Sequence, residues 1–217
     1  MNSVLRQSIK MGMGLSLGLL PFPEHPTFGE QGLHLRWRLG WIKGWLLRPY
    51  WKLCAHFGGT RLQIGKRFSL QGQLKLSGPG TVILGDDVIM DAVCTPFTHS
   101  RTAVIQIGSC CFVNGTRFGC SERIDIGDEC ILADARIMDT DFHAVHRNRN
   151  LPGMRPEVAP IRIGRNVWIA AGSAVLKGIT IGSHSVIAFG SVVTRDVPEG
   201  RIYGGNPARD LGEVPLS

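Results

Sequence analysis

The sequence of 217 residues is poor in the residues from which a metal site or a disulfide frame is made. Its six cysteines, Cys54, Cys94, Cys110, Cys111, Cys120 and Cys130, form no C-x-x-C pair and no zinc-ligand spacing. They read as buried small residues of a protein in a reducing cytosol. No apolar run reaches the length of a membrane span; Met11 to Phe22 is too short and lacks the small-x-small cleavage site of a signal peptide. Acidic residues are scarce at the start: residues 1–67 hold ten Lys or Arg against two acids, whereas residues 68–217 hold fourteen against fifteen. The net charge of +7 therefore belongs to the N-terminal segment. The remainder has no Lys/Arg run or aromatic stripe suited to a phosphate backbone, which excludes nucleic acid as a partner.

What the chain does have is 28 glycines and 12 prolines, a composition of many turns. They punctuate a repeat. From residue 161 to 197 an aliphatic residue returns every six positions, at Ile163, Ile169, Val175, Ile181, Ile187 and Val193. Four residues after each stands a second small or apolar residue: Val167, Ser173, Ile179, Ser185, Ser191 and Val197. A helix of 3.6 residues per turn scatters such positions, and a single strand holding them all would be several times the usual length. Short strand, turn and short strand is the remaining solution, the pattern of a parallel β-helix whose coils bury their aliphatics against one another. Ile64, Leu70 and Leu76, then Leu84 and Met90, Ile107 and Val113, and Ile126, Leu132 and Met138 continue the series with slips, one of them an irregular stretch at Arg117 to Arg123. Two interruptions stand out, Cys94 to Arg101 and the polar, proline-punctuated run 139–160, which is expected to project as a loop.

The expected organisation is a basic, Trp-rich helical segment at 1–60, a β-helix at 61–200 carrying the loop 139–160, and a closing segment at 201–217. Within the first, the apolar stretch from Met11 reads as one helix ending at Pro21, with PFPEHP as a turn, and Leu33 to Arg48 as a second, stopped by Pro49. On the second, Trp37, Trp41 and Trp45 adjoin an arc of Leu35, Leu39, Ile42 and Leu46, with Arg36 and Lys43 opposite. That composition suits either a membrane interface, reached through residues 1–56, or a cover for the open end of the solenoid.

The stretches IGRNVWIAAGSAVLKGITIG, VVTRDVP and YGGNPARDL resemble the coenzyme-binding coils and closing segment of the hexapeptide-repeat acyltransferases, across roughly residues 62–212. The resemblance implies an all-β solenoid, a left-handed parallel β-helix, assembled as a homotrimer and using acetyl-CoA as co-substrate. It implies an O-acetyltransferase acting on a sugar hydroxyl in surface polysaccharide or lipid-linked glycan synthesis, in the cytoplasm at the inner face of the membrane. N-acetylation of an amino sugar is the alternative. The family's catalytic histidine corresponds to His143, shortly after a repeat, although Ala144 follows it where the family usually has proline; His146 is its nearest competitor. An imidazole base needs an acceptor on its other nitrogen, for which Asp139, Asp141, Asp91 and His99 are available. Asn114 resembles the acceptor-side asparagine and is also at home in a left-handed corner. Asp139 and Asp141 join it as acceptor-binding residues. On the donor side, Trp168 would wall the thioester channel, and Ala170, Gly172 and Ser173 would let pantetheine lie against a coil. Lys177, Arg195 and Arg209 would meet the coenzyme's phosphates. No metal is expected. A hydratase on the same solenoid needs three convergent histidines, and His99, His143, His146 and His184 are dispersed for that purpose. A solenoid serving only as an interaction platform is the non-catalytic reading.

Overall fold

The structure, a computed structural model, describes residues 34–57 and 59–216; the helix expected from Met11 to Pro21 lies outside them. Three parallel sheets form the faces of a prism of about seven turns, a left-handed parallel β-helix. The first face stacks Arg61–Ile64, Thr81–Leu84, Val104–Ile107, Arg123–Ile126, Ile161–Ile163 and Thr180–Ile181. The second runs from Ser69–Leu70 through Ile89–Asp91, Phe112–Asn114, Ile131–Ala133, Trp168–Ile169 and Val186–Ile187 to Arg201–Gly204, which pairs antiparallel with Arg209–Glu213. The third stacks Gln73–Leu74, Val93–Thr98, Arg117–Cys120, Arg136–Met138, Ala174–Val175 and Val192–Val193.

The hexads set this geometry. All six leading aliphatics of residues 161–197 are buried, and so are the six residues that follow them by four. Each position therefore stacks on its equivalent one coil away, with Ile163 beside Ile181, Ile169 beside Ile187 and Val175 beside Val193. At roughly 1.5–3 kcal/mol for each large aliphatic taken from water, the stacked column is the main source of stability. The corners turn through left-handed residues. Between the first and second faces, Arg67, Asp87, Cys110, Glu129, Asn166 and His184 all have positive φ. From Asp87 onward, the amide of each donates to a carbonyl of the coil before at 2.8–2.9 Å.

The slips in the early repeats are of two kinds. The coil from Leu84 to its partner Ile107 and the coil from Ile126 to its partner Ile163 are longer than the regular one, and their excess is the segment around His99 and the loop 139–160. The other is a shift of register. Ile137, not Met138, pairs with Val175 and faces the core, and Met138 turns outward. The irregular stretch at Arg117 to Arg123 is two strands joined by a tight turn.

The N-terminal helix α1 (His34–His56) lies over the open end of the prism and differs from expectation at Pro49, which stands inside it. Pro49 is exposed, while Trp51, two residues on and on the other side of the helix, is buried against Phe68 with ring centroids 6.0 Å apart. That anchor holds the helix together past a residue with no N–H to give. Gly40 and Gly44 let the helix approach closely: a Cβ on either would stand 2.4 Å from Ser69 Oγ or 2.8 Å from the Phe68 carbonyl. Of the cysteines, Cys94, Cys111, Cys120 and Cys130 are buried, Cys110 is half-buried and Cys54 is exposed.

Candidate active site

The long loop leaves the prism where the third face turns into the first, after the fourth coil, and its base is built before its tip. The peptide groups of Asp139 to Asp141 run antiparallel to Glu157 to Ala159: the Ala159 amide donates to the Asp139 carbonyl at 2.9 Å and the Asp141 amide to the Glu157 carbonyl at 3.2 Å. Lys177, on the next coil, ties the two segments together. Its ammonium is 2.8 Å from Asp141 Oδ2 and 3.2 Å from Glu157 Oε2, and these carboxylates, Asp141 foremost, raise its pKa.

Asp139 is fully buried. Its Oδ1 accepts the Ser121 amide at 2.7 Å, and its Oδ2 accepts the Glu122 and Arg123 amides at 2.8 Å each and the Cys120 thiol at 3.3 Å. A carboxylate with four donors clamps the turn between two strands and has nothing left for an acceptor sugar. The expectation that it contacts substrate is replaced by this role.

Beyond the base the chain turns sharply through Phe142, whose φ is +59°, and the His143 amide donates to the Asp141 carbonyl at 2.7 Å. His143 is exposed and its ring makes no hydrogen bond to any described residue. Asp139 and Asp141 are both committed elsewhere, so neither orients this imidazole within one chain. His146 is also exposed, and its Nδ1 accepts the Asn148 amide at 3.1 Å.

What the sequence reading missed is the support beneath His143. Phe142 lies on the third face with its ring parallel to that of Phe97, 11° apart with centroids at 6.4 Å. His99 fits beside both, its ring centroid 4.3 Å from Phe97 and 4.8 Å from Phe142. Desolvation pulls the His99 pKa down, and the Asp139 carboxylate pulls against it. The signal lay in the interruption at 94–101, which carries Phe97 and His99 together.

The other candidates divide by face. Asn114 ends its strand at the corner between the second and third faces, half-buried, its side chain without a hydrogen bond to any described residue. Ala170 and Gly172 stand at that same corner two coils on, Gly172 with φ +72°. Ser173 is fully buried and its hydroxyl donates to the Ala188 carbonyl at 2.9 Å, so it meets a ligand through no side-chain group. Trp168 is 48% exposed in the middle of the second face, in an outward column with Phe112, Ile131, Val186 and Ile202. It was expected to wall the thioester channel, and within one chain a corner and the whole third face separate it from the loop. Lys177 is occupied with the loop base. Arg195, one coil beyond it on the same edge, is exposed, as is Arg209 on the closing hairpin. His184 sits at the corner between the first and second faces, not the one that carries the loop histidines, with Nδ1 3.1 Å from Asn166 Nδ2. Among the described residues no three His, Cys, Asp or Glu side chains converge as a metal site would need.

Comparison with known proteins agrees with this architecture. Residues 160–195 match the bacterial transferase hexapeptide model of six repeats. The galactoside O-acetyltransferase of Escherichia coli is 36% identical over 91 residues, which are 42% of this chain and 44% of that protein. The chain spans about two fifths of the length of the curated relatives it matches. Among solved structures, the polysialic acid O-acetyltransferase OatWY aligns at 22% identity and a TM-score of 0.59, over 73% of this chain and 76% of that one. A variant of AntD, an N-acyltransferase from Bacillus cereus solved with dTDP and coenzyme A, aligns at 20% identity and a TM-score of 0.60, over 70% and 83%. Those two likenesses speak for the fold. With residues 160–195 matched and its prism shared, the chain is a left-handed parallel β-helix that carries a segment of bacterial transferase hexapeptide repeats.

Proposed function

We propose that the protein transfers an acetyl group from acetyl-CoA to a hydroxyl of a sugar, with His143 as general base. The observation that carries this reading is an exposed imidazole with uncommitted ring nitrogens, set on a loop base that Asp139, Lys177 and the 139–141/157–159 ribbon hold against the coil. Neutral imidazole at Nε2 or Nδ1 takes the proton of the acceptor hydroxyl as its oxygen attacks the thioester carbonyl carbon. The tetrahedral adduct collapses with cleavage of the C–S bond, and the imidazolium returns the proton to the departing coenzyme thiolate. A base of this kind contributes about 10² to 10⁴ in rate.

The donor channel follows the corner of Ala170 and Gly172, where small residues leave room for pantetheine although their amides are spent on the Ile187 and Asp134 carbonyls, with Trp168 as its wall. Arg195 and Arg209, both exposed, suit the coenzyme's phosphates. Trp168 and His143 belong to different faces of one prism, and neither Asp139 nor Asp141 orients His143. A complete site therefore draws on two copies of the chain, which supports a homotrimer with its sites between neighbours. Asn114 and Asp141 remain the acceptor-side candidates. The acceptor fits a surface polysaccharide or its lipid-linked precursor, and the place of action fits the cytoplasm at the inner face of the membrane. Transfer to an amino group is the second reading, favoured by the likeness to AntD, an N-acyltransferase.

The test is thiol release from acetyl-CoA against a panel of free sugars, amino sugars and glycan fragments. Turnover with a hydroxyl acceptor, lost on His143→Ala and kept on His146→Ala, is the expected result. Normal turnover in His143→Ala moves the base elsewhere, and no turnover with any acceptor returns the fold to an interaction platform.

A further inference from the structure

The cap helix α1 shows two apolar faces, and the prism accounts for one of them. Gly40, Gly44, Leu47 and Trp51 face the first coil, at the spacing of one helical stripe. Lys43 Nζ donates to the Gly72 carbonyl at 2.5 Å and Arg48 Nη2 to the Gly65 carbonyl at 2.6 Å, fixing the helix in place. Leu39, Ile42, Leu46, Tyr50, Leu53 and Phe57 recur at three- and four-residue steps on the outer side, each between 46% and 79% exposed. Trp45, 61% exposed, flanks them and lines, with Leu46, Arg48, Pro49 and Lys52, a groove of about 330 Å³.

The charge around this stripe has one sign. Residues 34–77, which make up the helix and the first coil, contain nine Lys or Arg and no Asp or Glu. Lys52, Arg61, Lys66 and Lys75 are exposed there. An apolar stripe with a tryptophan at its margin and cations around it is the composition of a helix that lies in the interface of an anionic bilayer. A second copy of the cap would bring the same cations together. The preceding segment adds Arg6, Lys10 and the apolar Met11 to Phe22, a composition that belongs to the same interface and does not complement it.

We propose that α1 docks the prism on an anionic lipid surface, its outer stripe lying at the headgroup boundary and the cations of the cap against lipid phosphates. No helix of the described residues is long and apolar enough to cross a membrane, so the attachment is peripheral. The consequence for the site rests on the sugar-acetylation reading. The loop bearing His143 leaves after the fourth coil, three strand spacings of about 4.8 Å above the first. With the prism upright on the bilayer and the cap helix, about 10 Å thick, between the first coil and the lipid, the acceptor hydroxyl is roughly 25 Å from the lipid surface. That reach selects a sugar in the middle of a lipid-linked chain over the one attached to the lipid.

Co-sedimentation of the full chain with phosphatidylglycerol-containing vesicles and with pure phosphatidylcholine vesicles tests the docking without any turnover. Binding to the anionic vesicles only, weakened by added salt and reduced at least tenfold in Leu46→Glu/Leu53→Glu, is the expected result. These side chains are exposed, so the melting temperature of the variant should match that of the parent; Lys52→Glu/Lys75→Glu is the independent variant and should lose the same binding. Absence of binding to anionic vesicles overturns the proposal. So does binding unchanged in both variants, which assigns it to residues 1–33, and so does a fall in assembly size in Leu46→Glu/Leu53→Glu without lipid dependence, which assigns the stripe to a second copy. Thiol release with a soluble acceptor, unaffected in these variants, keeps failure of docking apart from failure of the chemistry.

Discussion

The ring of Phe142 occupies the space that a side chain at Gly119 would fill: a Cβ there would stand 2.4 Å from Phe142 Cζ and 2.6 Å from Met138 Sδ. The neighbour of the candidate base is thus seated by the absence of a side chain on the third face. Gly119→Leu should lift Phe142 and carry His143 with it. Overpacking of this sort costs about 1–3 kcal/mol, so the variant should melt only several degrees lower. A base displaced by about 1 Å loses on the order of 10²-fold in rate, so turnover should fall far more than stability. Thiol-release kinetics alongside thermal melting compares the two, and unchanged turnover would separate the Phe142 seat from the chemistry.

Asp139 supplies the turn at Ser121 to Arg123 with its acceptors, and it does so from a fully buried position. Asp139→Ala strands three backbone amides, each costing about 1–3 kcal/mol when left without a partner. A drop of around 10 °C or more in melting temperature is expected for a chain of this size. Asp139→Asn keeps one acceptor oxygen and should fall between the parent and the alanine variant. Denaturant titration of the three proteins gives the order, and equal stability would remove the clamp from the account.

The regular half of this molecule was readable because hexads with no insertion leave only one way to bury their aliphatics, and Ile163 to Val193 face the core as their spacing requires. Residue spacing lost its hold where the coil length changed. Met138 sits on the six-residue count, yet Ile137 turns inward, because the strand that pairs with Val175 begins one residue earlier than the count implies. Pro49 misled for a related reason: a local rule ends the helix, and the Trp51–Phe68 contact, seventeen residues apart in sequence, carries it on. At the site, the loop and its histidine were legible, but the roles of its acids were not. Asp139 and Asp141 are two residues apart, and only the fold sends one into a buried turn and the other to Lys177.

His99 gives the site a pH signature in stability. Cover from Phe97 and Phe142 lowers its pKa in the folded chain, despite the opposing pull of Asp139. As pH falls below the ordinary imidazole value of about 6.5, the unfolded chain binds a proton that the folded chain resists, so the folded state loses stability there and is unaffected above. His99→Gln should therefore lose less stability between pH 7.5 and pH 5.5 than the parent does. Chemical denaturation at the two pH values checks it, and an identical acid loss in both proteins would assign the slope to other groups.

Lys177 was expected to meet the coenzyme's phosphates, and in the folded chain it is held by Asp141 and Glu157. The two roles make opposite predictions for Lys177→Met. As a strap, its loss loosens the ribbon that carries the loop: amide exchange and proteolytic cleavage between residues 142 and 156 should rise, while the KM for acetyl-CoA stays within about fivefold, since a part-buried ion pair of this kind contributes no more than about 1 kcal/mol. As a phosphate ligand, its loss raises that KM at least tenfold and leaves loop protection alone. Arg195→Ala is the companion measurement. It is exposed on the same edge one coil on, so the strap reading leaves the phosphates to it and expects the increase in KM there.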